Sequence, residues 1–510
     1  MNQRPLPGSR PRYRGAFNLW LTLAALPAAA QIAPLTPQTL FFNQGSRSYT
    51  DSLAANAGLL YTNNATYTSG GAGATLALVG LSGDTARQGS RLDYHLDADI
   101  AVAKYLNGAF PTQLTGYLDG MAALKIVPGF FSWIVRDTYT QVQINPYAAV
   151  TPDNVVNLNY ITTGPRFTMR PTLRTSVTLE GLYSYLSSNS PSAQFIDLDS
   201  HRYGGNLRID RAFTHASSLY LKGSYEKVDF KDQVHNNNFS LGEAVAGFRL
   251  SSPRTSLDLS GGYSKVRVEN LAVPVQSIIG IEQQRETRTF GGATWRVNLS
   301  RVITPSERIS LFAGQQFTDV AAAAGLSFDQ AVPIYAPVQI AAGAPFQARS
   351  FGADWRLEGL RSTLDVSVGA FQTRYVVNSS YLVDATLFQT PNTNSRVVSA
   401  MFARQLSPVL TWNIGASFQH WTNIAVPGQP VPAGPSSLNT STALTSLSWR
   451  VGERLGLRFI LLHTSQIGVG ATQVGVIAFY ALTSSAKQAL TQTPGLGPTS
   501  PVSMQTMPRY

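Results

Sequence analysis

The chain has 510 residues, no cysteine, only 13% charged side chains and a formal net charge of +11. Ordinary soluble chains carry about 25% charged residues, and an apolar content of 44% excludes intrinsic disorder. Without cysteine there are no disulfide staples, and no run of Lys and Arg with interleaved aromatics points to nucleic acid.

The first thirty residues read as a signal peptide. Arg4, Arg10, Arg12 and Arg14 make a basic start, residues 16–29 an apolar core, and Ala28 and Ala30 a small-residue cleavage site. The core falls short of the roughly 20 apolar residues that span a bilayer. Removal of its four arginines leaves 39 − 4 = 35 Lys and Arg against 28 Asp and Glu, a net charge of +7. Residues 31–70 are expected to be a periplasmic N-terminal segment, 71–483 a transmembrane barrel and 484–510 a flexible tail.

The segment 91–104, RLDYHLDADIAVAK, carries the decisive pattern. Leu92, Tyr94, Leu96, Ala98, Ile100 and Val102 alternate with Asp93, His95, Asp97 and Asp99, with Arg91 leading. Period two makes a strand with one apolar and one wet face. The same alternation recurs in 176–185, 202–210, 255–264, 293–300, 351–357 and 410–419. Only Leu182 is out of place in the first of these. Short connections near 170–174, 213–218, 251–254, 303–308, 358–362, 406–408 and 451–454 alternate with long ones such as 187–200, 320–346 and 422–437.

That rhythm belongs to transmembrane barrels, with short periplasmic turns and longer external loops. A strand crosses a bilayer in about 9–11 residues. An open sheet would leave an edge unpaired in lipid, so the sheet must close. A soluble sandwich, whose strands run about five or six residues, fits these long segments poorly. The expected fold is all-β: a transmembrane antiparallel up-and-down β-barrel of about 18 strands, with 16 as the acceptable lower count. Both termini fall on the periplasmic side. Tyr183, Tyr185, Tyr203, Tyr225, Tyr263, Phe317 and Phe418 are expected in an outer aromatic belt, and Trp355, Trp412 and Trp449 in an inner one.

The wet face predicts the lining of the pore. It includes Arg91, Asp93, His95, Asp97 and Asp99 from the first quoted strand, then Arg202, Arg208 and Asp210, and further on Arg296, Asp354, Arg356, Arg450 and Arg458. Both signs are well represented, so the face gives little net charge selectivity. A lumen of this strand number conducts unless it is plugged. Residues 320–346 carry one charge, Asp329, among many Ala, Val, Ile and Pro. So apolar a stretch is expected to fold inward and narrow the pore, or to pack on the rim.

Catalytic motifs are absent: there is no H-E-x-x-H helix, no G-x-S-x-G elbow and no phosphate loop. His95 between Asp93 and Asp97 has the composition of a metal or acid–base site, but reads more simply as a charged lumen row. His201 and His215 read as loop or turn residues. The chain is therefore not expected to be an enzyme or to carry a cofactor.

Near the end, QVGVIAFY, residues 473–480, resembles the terminal assembly signal of outer-membrane proteins, with Gln473, Gly475, Ala478 and Tyr480 in the signal positions. Here about thirty residues follow the signal instead of none. The segments SRSYTDSL near residue 50 and SYEKVDF, which holds Tyr225 and Glu226, are similar to elements of the outer-membrane barrels that accompany exopolysaccharide and PEP-CTERM sorting systems in proteobacteria. The resemblance implies an outer-membrane location and an envelope or polysaccharide role. Its implied partners are outer-membrane lipid and lipopolysaccharide, the barrel-assembly machinery and polysaccharide-export components. Three functions follow as expectations: a porin-like channel or exopolysaccharide-export-associated pore; a non-conducting structural or assembly barrel; and, ranked last, an outer-membrane hydrolase.

Overall fold

The computed structural model describes residues 52–483 except 144–150, 191–196, 234–235, 278–279, 320, 322–342, 377–391, 425–436 and 467. The signal peptide, residues 31–51, most of the apolar connection and the C-terminal tail lie outside the described residues.

The chain forms twenty strands. The first ten are β1 (Ser52–Thr62), β2 (Ala74–Gln88), β3 (Leu92–Tyr105), β4 (Gln113–Val127), β5 (Phe131–Gln143), β6 (Val155–Thr172), β7 (Thr175–Asn189), β8 (Ser200–Ala212), β9 (Ser217–Phe230) and β10 (Phe239–Ser251). The second ten are β11 (Thr255–Ser277), β12 (Gly280–Thr304), β13 (Glu307–Thr318), β14 (Phe346–Glu358), β15 (Ser362–Tyr375), β16 (Asn392–Ser407), β17 (Leu410–Ile424), β18 (Ser437–Arg450), β19 (Leu455–Gln466) and β20 (Val469–Ala481). Each pairs antiparallel with its chain neighbours, and β1 closes on β20 from Ala54↔Ala481 to Thr62↔Gln473. Closure leaves no edge, as lipid requires.

The count is twenty rather than about 18. One strand that the alternation conceals is β1, SLAANAGLLYT, inside the stretch 31–70. Its small residues blur the contrast between faces, and Leu60 puts a large apolar group on the inner side, where it is buried. Short and long connections alternate as expected, with both described ends of the chain on the short-turn side. The exceptions on the long side are the tight turn at Gly468, where φ is +75°, and the β11–β12 hairpin, whose 23 and 25 residues run far beyond the wall.

The outer wall is apolar. Val79, Leu221 and Phe351 are 65%, 59% and 63% exposed, while inward Ser184, Asn413 and Gln419 are fully buried. A soluble sandwich would reverse these faces. Tyr183, Tyr203, Tyr225 and Tyr263 are exposed towards the outer ends, and Trp355 and Trp449 near the short turns. Phe317 departs from the expected belt: it is buried and packs with Val228, Phe230, Phe239, Val266 and Val268. Leu182, the irregular residue of its segment, is likewise buried on the inner side. The lumen also holds a second apolar cluster, around Leu60, Leu78, Leu462, Ile477 and Phe479.

One glycine is fixed by geometry. Gly116 has φ +114°, and a Cβ there would lie 1.8 Å from the Asp99 carbonyl oxygen on the paired strand. Gly116→Ala is expected to destabilise the barrel by about 1–3 kcal/mol, the scale of a strained backbone residue, in denaturant titrations of the refolded protein. An unchanged midpoint would show that β3 and β4 can separate there without loss.

Candidate functional site

The lumen wall divides into sectors of different chemistry. In β2 to β5 it is acidic. Strand register sets Asp84 opposite Asp97, and Asp97 opposite Asp119, so three carboxylates lie abreast on one row. Each has a partner. His95 Nε2 lies 3.8 Å from Asp84, the Tyr117 hydroxyl donates to Asp97 at 2.9 Å, and Arg136 donates to Asp119 at 3.0 Å. Asp93 pairs with Lys125 at 2.8 Å. Asp99, one row outward, is buried with both carboxylate oxygens lacking a hydrogen bond among the described residues. Arg458 on β19 is the cation whose field reaches it. Among the described residues no group of three His, Cys, Asp or Glu could hold a metal ion. His95 sits beside this acidic row, with Asp84 as its ion-pair neighbour.

From β6 to β15 the inward charges form a ladder of ion pairs. Arg166 meets Glu180 at 2.5 Å, Arg208 meets Asp210 at 2.8 Å and Arg249 meets Asp258 at 3.0 Å. Arg356 lies between Glu358, at 2.6 Å, and Asp365, at 3.6 Å. The deepest node is Arg202, 1% exposed. It donates to Asp319 at 2.6 Å and to Glu226 at 3.2 Å, and its guanidinium lies 5.7 Å from the Tyr160 ring centroid. Arg202 is on β8, whereas Asp319 directly follows β13, five strands on. At about 4.8 Å per strand that is roughly 24 Å around the wall, so the chain leaves the wall after β13 to make the contact. At the other described end of the same connection, the Gly343 N–H donates to Asn236 Oδ1 at 3.0 Å. Asn236 lies between β9 and β10. Both described ends of the apolar connection are thus tied inside the mouth, on the β8–β10 side; residues 322–342 lie outside the described residues.

The third sector, β16 to β19, is uncharged over most of its height. Its inward face carries Ser395, Ser399, Asn413, Ser417, Gln419, Trp421, Thr440, Thr442, Ser446 and Thr464, all buried. Among the described residues, the only inward charges of β16–β20 are Arg450 and Arg458, towards the short-turn end. Both amide atoms of Gln419, Oδ1 of Asn413, Nε1 of Trp421 and Oγ of Ser395 are buried without a hydrogen-bond partner among the described residues. Each such group left unmade costs about 1–3 kcal/mol. These donors and acceptors are packed within the wall, and water or a solute hydroxyl would reach them only where the side chains around them part.

Of the sequence-predicted lining residues, Asp93, His95, Asp97, Asp99, Arg202, Arg208, Asp210, Asp354, Arg356 and Arg458 lie on inward faces, in the register given by their partners. Arg296 is inward, with Nε and Nη1 buried and unpartnered among the described residues. Arg450 ends β18 and donates to the Pro408 carbonyl at 3.4 Å. Arg91 lies in the turn before β3 and is exposed. His201 is not a loop residue: it sits on the outward face of β8, 2.8 Å from the Tyr183 hydroxyl. The uncharged sector was missed because Ser, Thr and Gln on alternate positions carry no signal until register groups them. Asp319 and Asn236 were missed because their contacts cross the barrel.

No family model matches the chain, and no curated protein matches it. Many solved structures are similar to it, the following three among them. The FrpB iron transporter from Neisseria meningitidis (F5-1 variant) is 8% identical, with a TM-score of 0.47, over 85% of this chain and 83% of that one. The copper transporter OprC is 11% identical, with a TM-score of 0.44, over 86% and 82%. The ferric citrate transporter FecA in its unliganded form is 10% identical, with a TM-score of 0.44, over 86% and 80%.

The closed cylinder, its apolar outer wall and its polar lumen define an outer-membrane β-barrel. The protein is located in the cell outer membrane.

Proposed function

We propose that this barrel passes uncharged, hydroxyl-bearing solutes across the outer membrane, as a porin-like channel or as a pore associated with exopolysaccharide export. The observation that carries the reading is the β16–β19 wall, with its unpartnered Gln419, Asn413, Trp421 and Ser395. It holds donors and acceptors together and no charge, so where these packed side chains part to expose them it suits a polyol better than an ion. The β6–β15 charges meet in ion pairs of their own, while the β2–β5 sector stays acidic. In this reading Gln473, Gly475, Ala478 and Tyr480 on β20, the last barrel strand, present the terminal signal to the assembly machinery.

Purified protein in a planar bilayer should conduct, and maltohexaose should block the current. Gln419→Leu, which keeps the volume and removes the amide, should weaken the block about tenfold, equivalent to roughly 1.4 kcal/mol. Conductance that ignores the sugar would overturn the polyol reading. A protein that never conducts would favour the non-conducting structural barrel, a reading supported by the tie between Asp319 and Arg202 across the mouth.

A further inference from the structure

The outward face of the barrel gathers three cations at one place, without a carboxylate beside them. Arg349 on β14, Arg374 on β15 and Arg396 on β16 are exposed on the outer wall. Register places them together. Arg349 is opposite Gln372, Arg374 is opposite Gln347 one outward-facing row above, and Arg396 is opposite Ala370 one row below. Strand spacing and rise put neighbouring guanidinium-bearing positions about 8–12 Å apart. All three lie on the long-loop halves of their strands, on the external side.

A line of amides frames the arginines. Arg349 donates to Gln315 at 2.7 Å and to Gln372 at 3.4 Å, and Gln372 donates to Asn394 at 2.8 Å. Arg374 and Arg396 make no hydrogen bond or ion pair among the described residues. Towards the membrane centre the same wall turns apolar, with Phe351, Val368 and Val398 exposed. The cations therefore stand where the hydrocarbon band gives way to headgroups. Charge on the lipid face is tolerated only near such an interface.

Elsewhere on the outer rim Lys104 and Lys265 stand singly, and two other cations are paired. Lys227 pairs with Asp229 at 3.0 Å, and Arg267 with Glu269 at 4.0 Å. Among the described residues, no carboxylate faces outward on the external halves of β13–β18. An arginine cluster in which Arg374 and Arg396 have free forks, beside amide donors and above an acyl-compatible wall, matches a phosphorylated lipid headgroup.

We infer that the external half of β14–β16 is a binding site for the phosphorylated glycolipid of the outer leaflet, the lipid A part of lipopolysaccharide. Its phosphates meet Arg349, Arg374 and Arg396, and its acyl chains lie on Phe351, Val368 and Val398. The site is independent of what passes through the lumen.

Native mass spectrometry of the full detergent-solubilised chain tests this, with bisphosphorylated lipid A, dephosphorylated lipid A and phosphatidylethanolamine as probes. Bisphosphorylated lipid A should bind at least tenfold more tightly than either of the others. The variant R349Q/R374Q/R396Q should lose at least tenfold for that lipid alone, whereas Arg404→Gln, outward at the opposite end of β16, should change nothing. Equal binding of the dephosphorylated lipid, an unaffected triple variant or full competition by inorganic phosphate would overturn the site. So would a lipid-free dimer abolished by the same substitutions, which would assign the face to a second copy. Should the triple variant not fold, Arg396→Gln alone should lose at least threefold, and wild-type binding should weaken between about 0.1 and 1 M salt, where screening shortens from about 10 to 3 Å; salt-independent binding would reject the site.

Discussion

Arg202→Ala should lower the stability of the folded barrel by about 3–5 kcal/mol, the effect of removing one partner from a buried ion pair. The guanidinium is 2% exposed in its side chain and holds Asp319 and Glu226, whose side chains are 7% and 17% exposed. Its loss leaves two enclosed carboxylates without their cation, and the Tyr160 ring without its cationic neighbour. Denaturant titration in detergent micelles, followed by tryptophan fluorescence, reads the change. The triple replacement Arg202→Met, Glu226→Gln, Asp319→Asn should recover most of it, because no bare charge is then left inside. If Arg202→Ala matched the wild type, the node would contribute nothing, and the tie between the β13–β14 connection and β8 would need another origin.

Leu207→Arg should cost about 2–4 kcal/mol, the range for an arginine on the lipid face near mid-membrane. Leu207 is near the centre of β8, faces outward and lies opposite Leu179 on β7. Its neighbour Asn206 faces the lumen and donates to Glu180 at 3.2 Å. Asn206→Arg should therefore change stability by less than about 1 kcal/mol, since it keeps its charge in a polar, carboxylate-bearing environment. The contrast between adjacent positions is the sharpest test of which wall meets hydrocarbon. Equal effects at the two sites would mean that the faces are not distinguished by lipid.

Much of the candidate site was legible residue by residue. The alternation in 91–104 put Asp93, His95, Asp97 and Asp99 on one face, and the structure keeps them there. What alternation could not supply was their partners. Asp97 lies between Asp84 and Asp119 only because β2, β3 and β4 take one register out of several that preserve the same faces. Phe317 shows the other limit. Its aromatic type and strand position suit a lipid-facing belt, yet the fold packs it with Phe230 and Phe239. The hidden β1 has the same cause as the missed serine and glutamine wall: small and neutral residues give weak periodic contrast, and only pairing with a neighbour reveals them.

Sequence alone determined that the chain is built of long two-faced strands joined by alternating short and long connections, and that lipid must lie against the apolar face. Side-chain direction repeats every two residues, so it is written locally. The tertiary structure decided the number of strands, the division of the lumen into acidic, ion-paired and neutral sectors, and the reach of Asp319 to Arg202. Those depend on which strands stand side by side and on contacts between residues up to 430 positions apart, and no local period encodes either.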